Sequence, residues 1–143
     1  MPGIRTVFAD SSYWIALLNP GDRLHDKACE LSAQTSAVLI VTSEMVLTEV
    51  INHLSGSRAS LRRAVAAAVE DICHEANCRV IPQTTDQFRG ALRFFRQHDD
   101  KQWSLTDCAS ILAMQAEDIH EVLTHDNHFT QAGFTALLRP LPR

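Results

Sequence analysis

No stretch of this chain stays apolar long enough to cross a bilayer. The longest runs, Ala37 to Val41 and Ala64 to Val69, fall far short of the roughly 20 residues that a spanning helix needs. The opening Met1-Pro2-Gly3-Ile4-Arg5 has neither the long apolar region nor the cleavage site of a secretory signal, so the expected compartment is the cytoplasm, with no membrane partner. No two of the four cysteines, Cys29, Cys73, Cys78 and Cys108, have the C-x-x-C spacing of a zinc or redox pair. Their mostly apolar neighbours predict reduced, partly buried thiols. Basic charge is not in excess. Thirteen Lys and Arg stand against 17 Asp and Glu, a net charge of −4. That excludes a broad polyanion-binding surface and leaves room for a local patch. Nor is there an internal repeat, a linker or a low-complexity tract. What remains is one expected domain over residues 1–143, 45% apolar and 21% charged, long enough for a real core.

Charge is also missing locally, and there the absence is informative. Four stretches hold a single carboxylate each: Asp10 in Thr6 to Gly21, Glu49 in Met45 to Ser57, Asp107 in Gln102 to Ala116, and Asp126 in Val122 to Leu138. A lone acid in an apolar segment costs several kcal/mol to bury unless something compensates it. Four such acids lower that cost together if they converge on one divalent cation. Hard cations such as Mg2+ and Mn2+ take oxygen ligands, and a cation so held can act on phosphate esters.

The pattern of elements sets where those acids fall. Arg5 to Ala9 reads as a short buried strand ending at Asp10, with Ser11 and Ser12 as caps for a helix to Leu18. Helices are predicted over His25 to Gln34, from a Thr42 or Ser43 cap to Leu54, over Arg58 to Asn77, over Thr85 to His98, and over Ser104 to Glu117. Ser55-Gly56-Ser57 reads as a break. Strands are predicted at Ala37 to Val41, Arg79 to Ile81, Val122 to Thr124 and Thr135 to Leu138. In the helix at Thr85, the residues Phe88, Ala91, Leu92 and Phe95 are expected to point inward, while Arg89, Arg93 and Arg96 line a basic face. Alternating strands and helices give an α/β/α sandwich with a mainly parallel sheet of four or five strands. Asp10 and Asp126 then lie just past strand ends, where ligands of such sheets bind.

Each acid also has an ordinary structural explanation. Asp10 can cap a helix. Ser104-Leu105-Thr106-Asp107 has capping-box spacing. Asp126 can make an Asx turn before Asn127. Glu49 has the weakest such explanation, whereas Glu44, at a helix start, complements the dipole. His125 and His128 read as loop histidines beside the acids, His53 as a partly buried residue one turn from Glu49, and Trp14 and Trp103 as core or interface residues rather than base-stacking platforms. Arg58, Arg62 and Arg63 form a second basic group; such stripes are usually solvated helix faces.

Four segments, taken in order, resemble the PIN-domain nucleases, and within them the VapC-type ribonuclease toxins. They are Phe8-Ala9-Asp10-Ser11-Ser12, Val46-Leu47-Thr48-Glu49-Val50, Asp100-Lys101-Gln102-Trp103-Ser104-Leu105-Thr106-Asp107-Cys108 and Leu123-Thr124-His125-Asp126-Asn127-His128-Phe129. The resemblance implies a Mg2+- or Mn2+-dependent endoribonuclease. Asp10, Glu49, Asp107 and Asp126 match its acidic quartet, the three aspartates being the expected metal ligands and Glu49 joining directly or through water. Ser12 matches a small polar residue supporting the first Asp. An antitoxin partner and a homodimer are implied as well. Arg89, Arg93 and Arg96 are the candidate grip on RNA phosphates. Two alternatives stay open: a catalytically silent PIN-like scaffold, and a phosphoacceptor domain, which would want an adjacent acid pair after the first strand and a Lys beyond Lys101.

Overall fold

The computed structural model describes residues 3–56 and 58–138. The ends of the domain expected over 1–143, and Ser57 of the predicted break, lie outside them. Within the described residues the chain runs β1 (Thr6–Ala9), α1 (Ser11–Leu18), α2 (His25–Ala33), β2 (Leu39–Ser43), α3 (Glu44–Leu54), α4 (Ala59–His74), β3 (Cys78–Ile81), α5 (Thr85–Gln97), α6 (Leu105–Ala116), β4 (Glu121–Leu123), α7 (Asn127–Gln131) and β5 (Thr135–Ala136).

The strands form one sheet in the order β3-β2-β1-β4-β5, with every pairing parallel. This is the α/β sandwich read from the sequence, with five strands. β1 is central, and Val7, Phe8 and Ala9 are each at most 1% exposed. A parallel strand is buried on both faces because crossover helices cover both. Right-handed crossovers set the layers. The chain steps from β1 to β2 to β3 in one direction, which puts α1 to α4 on one face. It then returns across β1 to β4, which puts α5 and α6 on the other. The sense of travel therefore reverses between β1 and β4. In such sheets the crevice beyond that pair of carboxyl ends is where ligands bind.

Several elements differ from the sequence reading, each for a visible reason. β2 starts and ends two residues later than the apolar run Ala37 to Val41. Its last residues, Thr42 and Ser43, are buried despite their hydroxyls. Thr42 Oγ1 donates to the Ala9 carbonyl at 2.8 Å and accepts the Trp14 indole N–H at 3.2 Å, so its burial leaves no orphan. Ser43 caps α3 by accepting from the Val46 amide. Ser11 and Ser12 do not cap α1; both lie inside it, and Asp10 holds the N-cap position.

The inward face of α5 is also rotated from the expectation. Ala91 is buried and Phe94 half-buried, but Phe88, Leu92 and Phe95 are 42%, 48% and 47% exposed. The helix seats on Gln87, Ala91, Phe94 and His98, held by stacking of Phe94 and His98 on each other and on the buried Trp103, with ring centroids 4.1, 5.9 and 5.3 Å apart. Trp14 and Trp103 are both core residues, at 4% and 7% exposure. Cys29 and Cys73 are exposed, against the expected partial burial; Cys78 is half-buried and Cys108 buried, and all four are free thiols. His53 is exposed and makes no hydrogen bond to Glu49.

Candidate active site

Asp10 directly follows the central strand, so the backbone delivers it to the crevice beyond β1. Its amide donates to the Leu123 carbonyl of β4 at 3.2 Å, continuing the ladder one residue past the strand. It occupies the N-cap position of α1, yet its side chain caps nothing. The carboxylate, 3% exposed, instead receives the Thr124 hydroxyl at 2.9 Å and the Ser12 hydroxyl at 3.2 Å on the same oxygen. Burial pushes its ionisation up to about 6; the nearby charges of Asp107 and, more weakly, Glu49 push the same way, against the Thr124 hydroxyl bond.

The other three acids arrive on separate elements. Glu49 comes from the second turn of α3 and accepts the Ser11 hydroxyl at 2.5 Å. Glu44 faces elsewhere and accepts the Gln83 amide at 2.6 Å, a structural use. Asp107 sits in the first turn of α6 in a complete capping box: Ser104 Oγ accepts the Asp107 amide, and Asp107 Oδ2 accepts the Ser104 amide, each at 3.0 Å. It is 7% exposed, and burial raises its ionisation, with Asp126 adding to the rise and the Ser104 amide and His128 opposing it. Asp126 caps the short α7 through the His128 amide at 3.0 Å. Its own amide donates to Thr124 Oγ1 at 3.1 Å.

The acids thus occupy one field: Asp10 feels Asp107 and Glu49, and Asp107 feels Asp126. The capping box read for Asp107 is present, and Asp126 makes the local side-chain bond to the His128 amide that its Asx-turn reading anticipates; Asp10 makes no side-chain cap. Among the described residues no Lys or Arg pairs with any of the four. Two of them share a histidine instead: His128 Nδ1 lies 2.9 Å from Asp107 Oδ2 and 3.2 Å from Asp126 Oδ1. Carboxylates that feel one another's charge, with no Lys or Arg paired to them among the described residues, are a donor set that suits a hard divalent cation. Ligand atoms of Asp107, Asp126 and His128 already lie within 4.8 Å of one another.

Ser12, expected to support the first aspartate, also shares a hydrogen bond with Thr124 at 2.9 Å. The sequence reading did not single out Ser11 or Thr124 as site residues, and it placed His128 beside the acids without a role. Thr124 had one signal, a hydroxyl in an apolar strand end between two acids. Ser11 had none, since a serine opening a helix reads as a cap. Arg89, Arg93 and Arg96 lie exposed on α5, lining a shallow groove with Leu92 and Asp86. His125 is exposed, and its amide donates to Ser12 Oγ at 3.4 Å.

A family model described as the PIN domain matches residues 7–135. The chain is 35% identical over 128 residues to the 23S rRNA-specific endonuclease VapC20 of Mycobacterium tuberculosis, covering 90% of this chain and 95% of that protein. The crystal structure of M. tuberculosis VapC20, described as a toxin cleaving the sarcin-ricin loop, superposes with a TM-score of 0.79 at 32% identity, over 90% of this chain and 96% of the other. FitAcB from Neisseria gonorrhoeae shares the fold, with a TM-score of 0.66 at 12% identity, over 91% and 94% of the two chains. With a family model matching residues 7–135 and a relative 35% identical over 90% of its length, this chain belongs to the PIN-domain family.

Proposed function

We propose that this chain is a metal-dependent endoribonuclease that hydrolyses RNA phosphodiester bonds, and that it is the toxin of a toxin–antitoxin pair. The observation that supports the reading is that Asp10 lies in the field of Asp107 and Glu49, and Asp107 in that of Asp126, with no Lys or Arg paired to any of them among the described residues. VapC20 is named as an endonuclease and a toxin, which supports the same activity here. The phosphoacceptor alternative loses its ground with the family assignment. The unit is a single domain working in the cytoplasm on RNA.

Asp10, Asp107 and Asp126 would hold the ion, Mg2+ or Mn2+, with Glu49 completing the set directly or through water. When bound, the ion would supply positive charge to polarise the phosphoryl oxygen, ease deprotonation of water and steady the leaving oxygen. The protein's own groups supply the positions. Thr124 and Ser12 fix the Asp10 carboxylate, Ser11 fixes Glu49, and the capping box fixes Asp107. Water is the nucleophile: the hydroxyls of Ser11 and Ser12 are bound to carboxylates, and neither has the oriented histidine base that a side-chain nucleophile needs. The test is cleavage of a 23S ribosomal RNA fragment, chosen because VapC20 acts on 23S rRNA. Cutting with added Mn2+ or Mg2+, lost with a chelator and with Asp126→Asn, is the expected outcome. Intact RNA under every metal condition would favour the silent scaffold instead.

Arg89, Arg93 and Arg96 are proposed to hold RNA phosphates, because they form an exposed basic stripe on an acidic protein. Reversing the charge of Arg89 and Arg93 should weaken RNA binding at low salt by about tenfold or more and flatten its salt dependence. Unchanged affinity would remove these residues from the interface.

A toxin also needs a protein antitoxin, the partner proposed here. Self-association is proposed from the exposed stripe of Phe88, Leu92 and Phe95 beside those arginines. Three large apolar side chains in a row on one helix mark a surface that another protein covers. Leu92→Glu should convert a dimer to a monomer by light scattering after size exclusion; a monomeric wild type would refute the dimer.

A further inference from the structure

His128 is part of the site but has no role in the function proposed above. Its place is fixed by the backbone. Asp126 caps α7 through the His128 amide, and Phe129, fully buried next in sequence, anchors the turn. The imidazole therefore folds back over the cap toward α6. It is Nδ1 that faces the acids, 2.9 Å from Asp107 Oδ2 and 3.2 Å from Asp126 Oδ1. In an octahedral site with metal–ligand distances near 2.1 Å, neighbouring ligand atoms stand about 3 Å apart. Both separations match that edge.

We infer that His128 is a nitrogen ligand of the divalent metal, held through Nδ1 beside Asp107 and Asp126, and that it tilts the site toward Mn2+ over Mg2+. The inference rests on the metal site proposed above and extends its donor set beyond carboxylates. The selectivity follows from ligand chemistry. Mg2+ takes oxygen and keeps its waters, whereas first-row transition ions accept imidazole as well as carboxylate. Ligation requires the neutral ring with its hydrogen on Nε2. His128 is 29% exposed on its side chain.

The experiment is pulsed electron paramagnetic resonance of Mn2+ bound to the full chain, made with isotopically labelled histidine. The expected spectrum shows one directly bonded ring nitrogen. It disappears in His128→Asn and persists in His125→Asn. Calorimetric titration with each ion should give a drop in Mn2+ affinity of about tenfold or more in His128→Asn, with a smaller change for Mg2+. Bound Mn2+ without a histidine nitrogen would overturn the inference and leave the carboxylate site standing. Failure to bind Mn2+ at all would overturn both. Equal losses for the two ions would overturn the selectivity.

Discussion

Asp10→Asn is expected to abolish RNA cleavage, with a loss well beyond the 10- to 100-fold typical of residues that only support a metal ligand. Asp10, unlike Asp107 and Asp126, closes no helix turn with its side chain. It sits at the end of the central strand, its side chain caps no helix, and two hydroxyls aim its one bonded oxygen. Asparagine has the same shape. Its carbonyl oxygen can accept from Thr124 and Ser12 as Asp10 Oδ2 does, so the fold is kept. What is lost is a negative charge, and with it affinity for the cation. Single-turnover cleavage at saturating Mn2+ distinguishes weak metal binding from a defect in chemistry. Wild-type rates in the variant would remove Asp10 from the site.

The same substitution should stabilise the metal-free protein. A carboxyl held at about 6 in the fold, against 3.8 in the unfolded chain, makes its ionisation on folding cost on the order of 3 kcal/mol. The sign follows from proton counting. Between those two values the native state binds more protons than the unfolded state, so stability falls as pH rises. Below about pH 4 both states are protonated and the cost vanishes; above about pH 6 it is present in full. Asp107, also raised, adds in the same direction. With chelator present, Asp10→Asn should melt roughly 5–10 °C above wild type at pH 7.5, and the gap should close toward pH 4. Mn2+ at 100 times its dissociation constant should return about 2.7 kcal/mol to the wild type and little to the variant. A gap independent of pH would mean that Asp10 is not strained by ionisation in this fold.

How much of this was legible in the sequence depends on the range of the interaction. The parallel α/β order came through because β1 and β2 are short apolar runs and the helices carry stripes, both patterns of near neighbours. The four acids stood out because each is alone in an apolar stretch. Ser11 and Ser12 show the limit. Local rules make them caps, but their hydroxyls bond Glu49 and Thr124, 38 and 112 residues away. Thr42 extends β2 past the apolar run for a similar reason: it is buried because Trp14 and Ala9 satisfy it, and neither is near in sequence. On α5 the periodicity located an apolar face broader than the helix needs. Which part lies inward was decided by Trp103 and α6, so Phe88, Leu92 and Phe95 were misplaced. His125 and His128 were indistinguishable as letters, and a single turn of α7 separates a solvent-facing ring from one between two carboxylates.

One oxygen of Asp107 closes the first turn of α6 and also bonds His128. Any cation drawing on that oxygen takes electron density from the Ser104 amide, so occupancy of the centre is written into the fraying of a helix end. Deuterium uptake at Ser104 and Asp107 would then report ion arrival with no RNA present. It does so beside Trp103, whose emission offers an optical gauge of the same event.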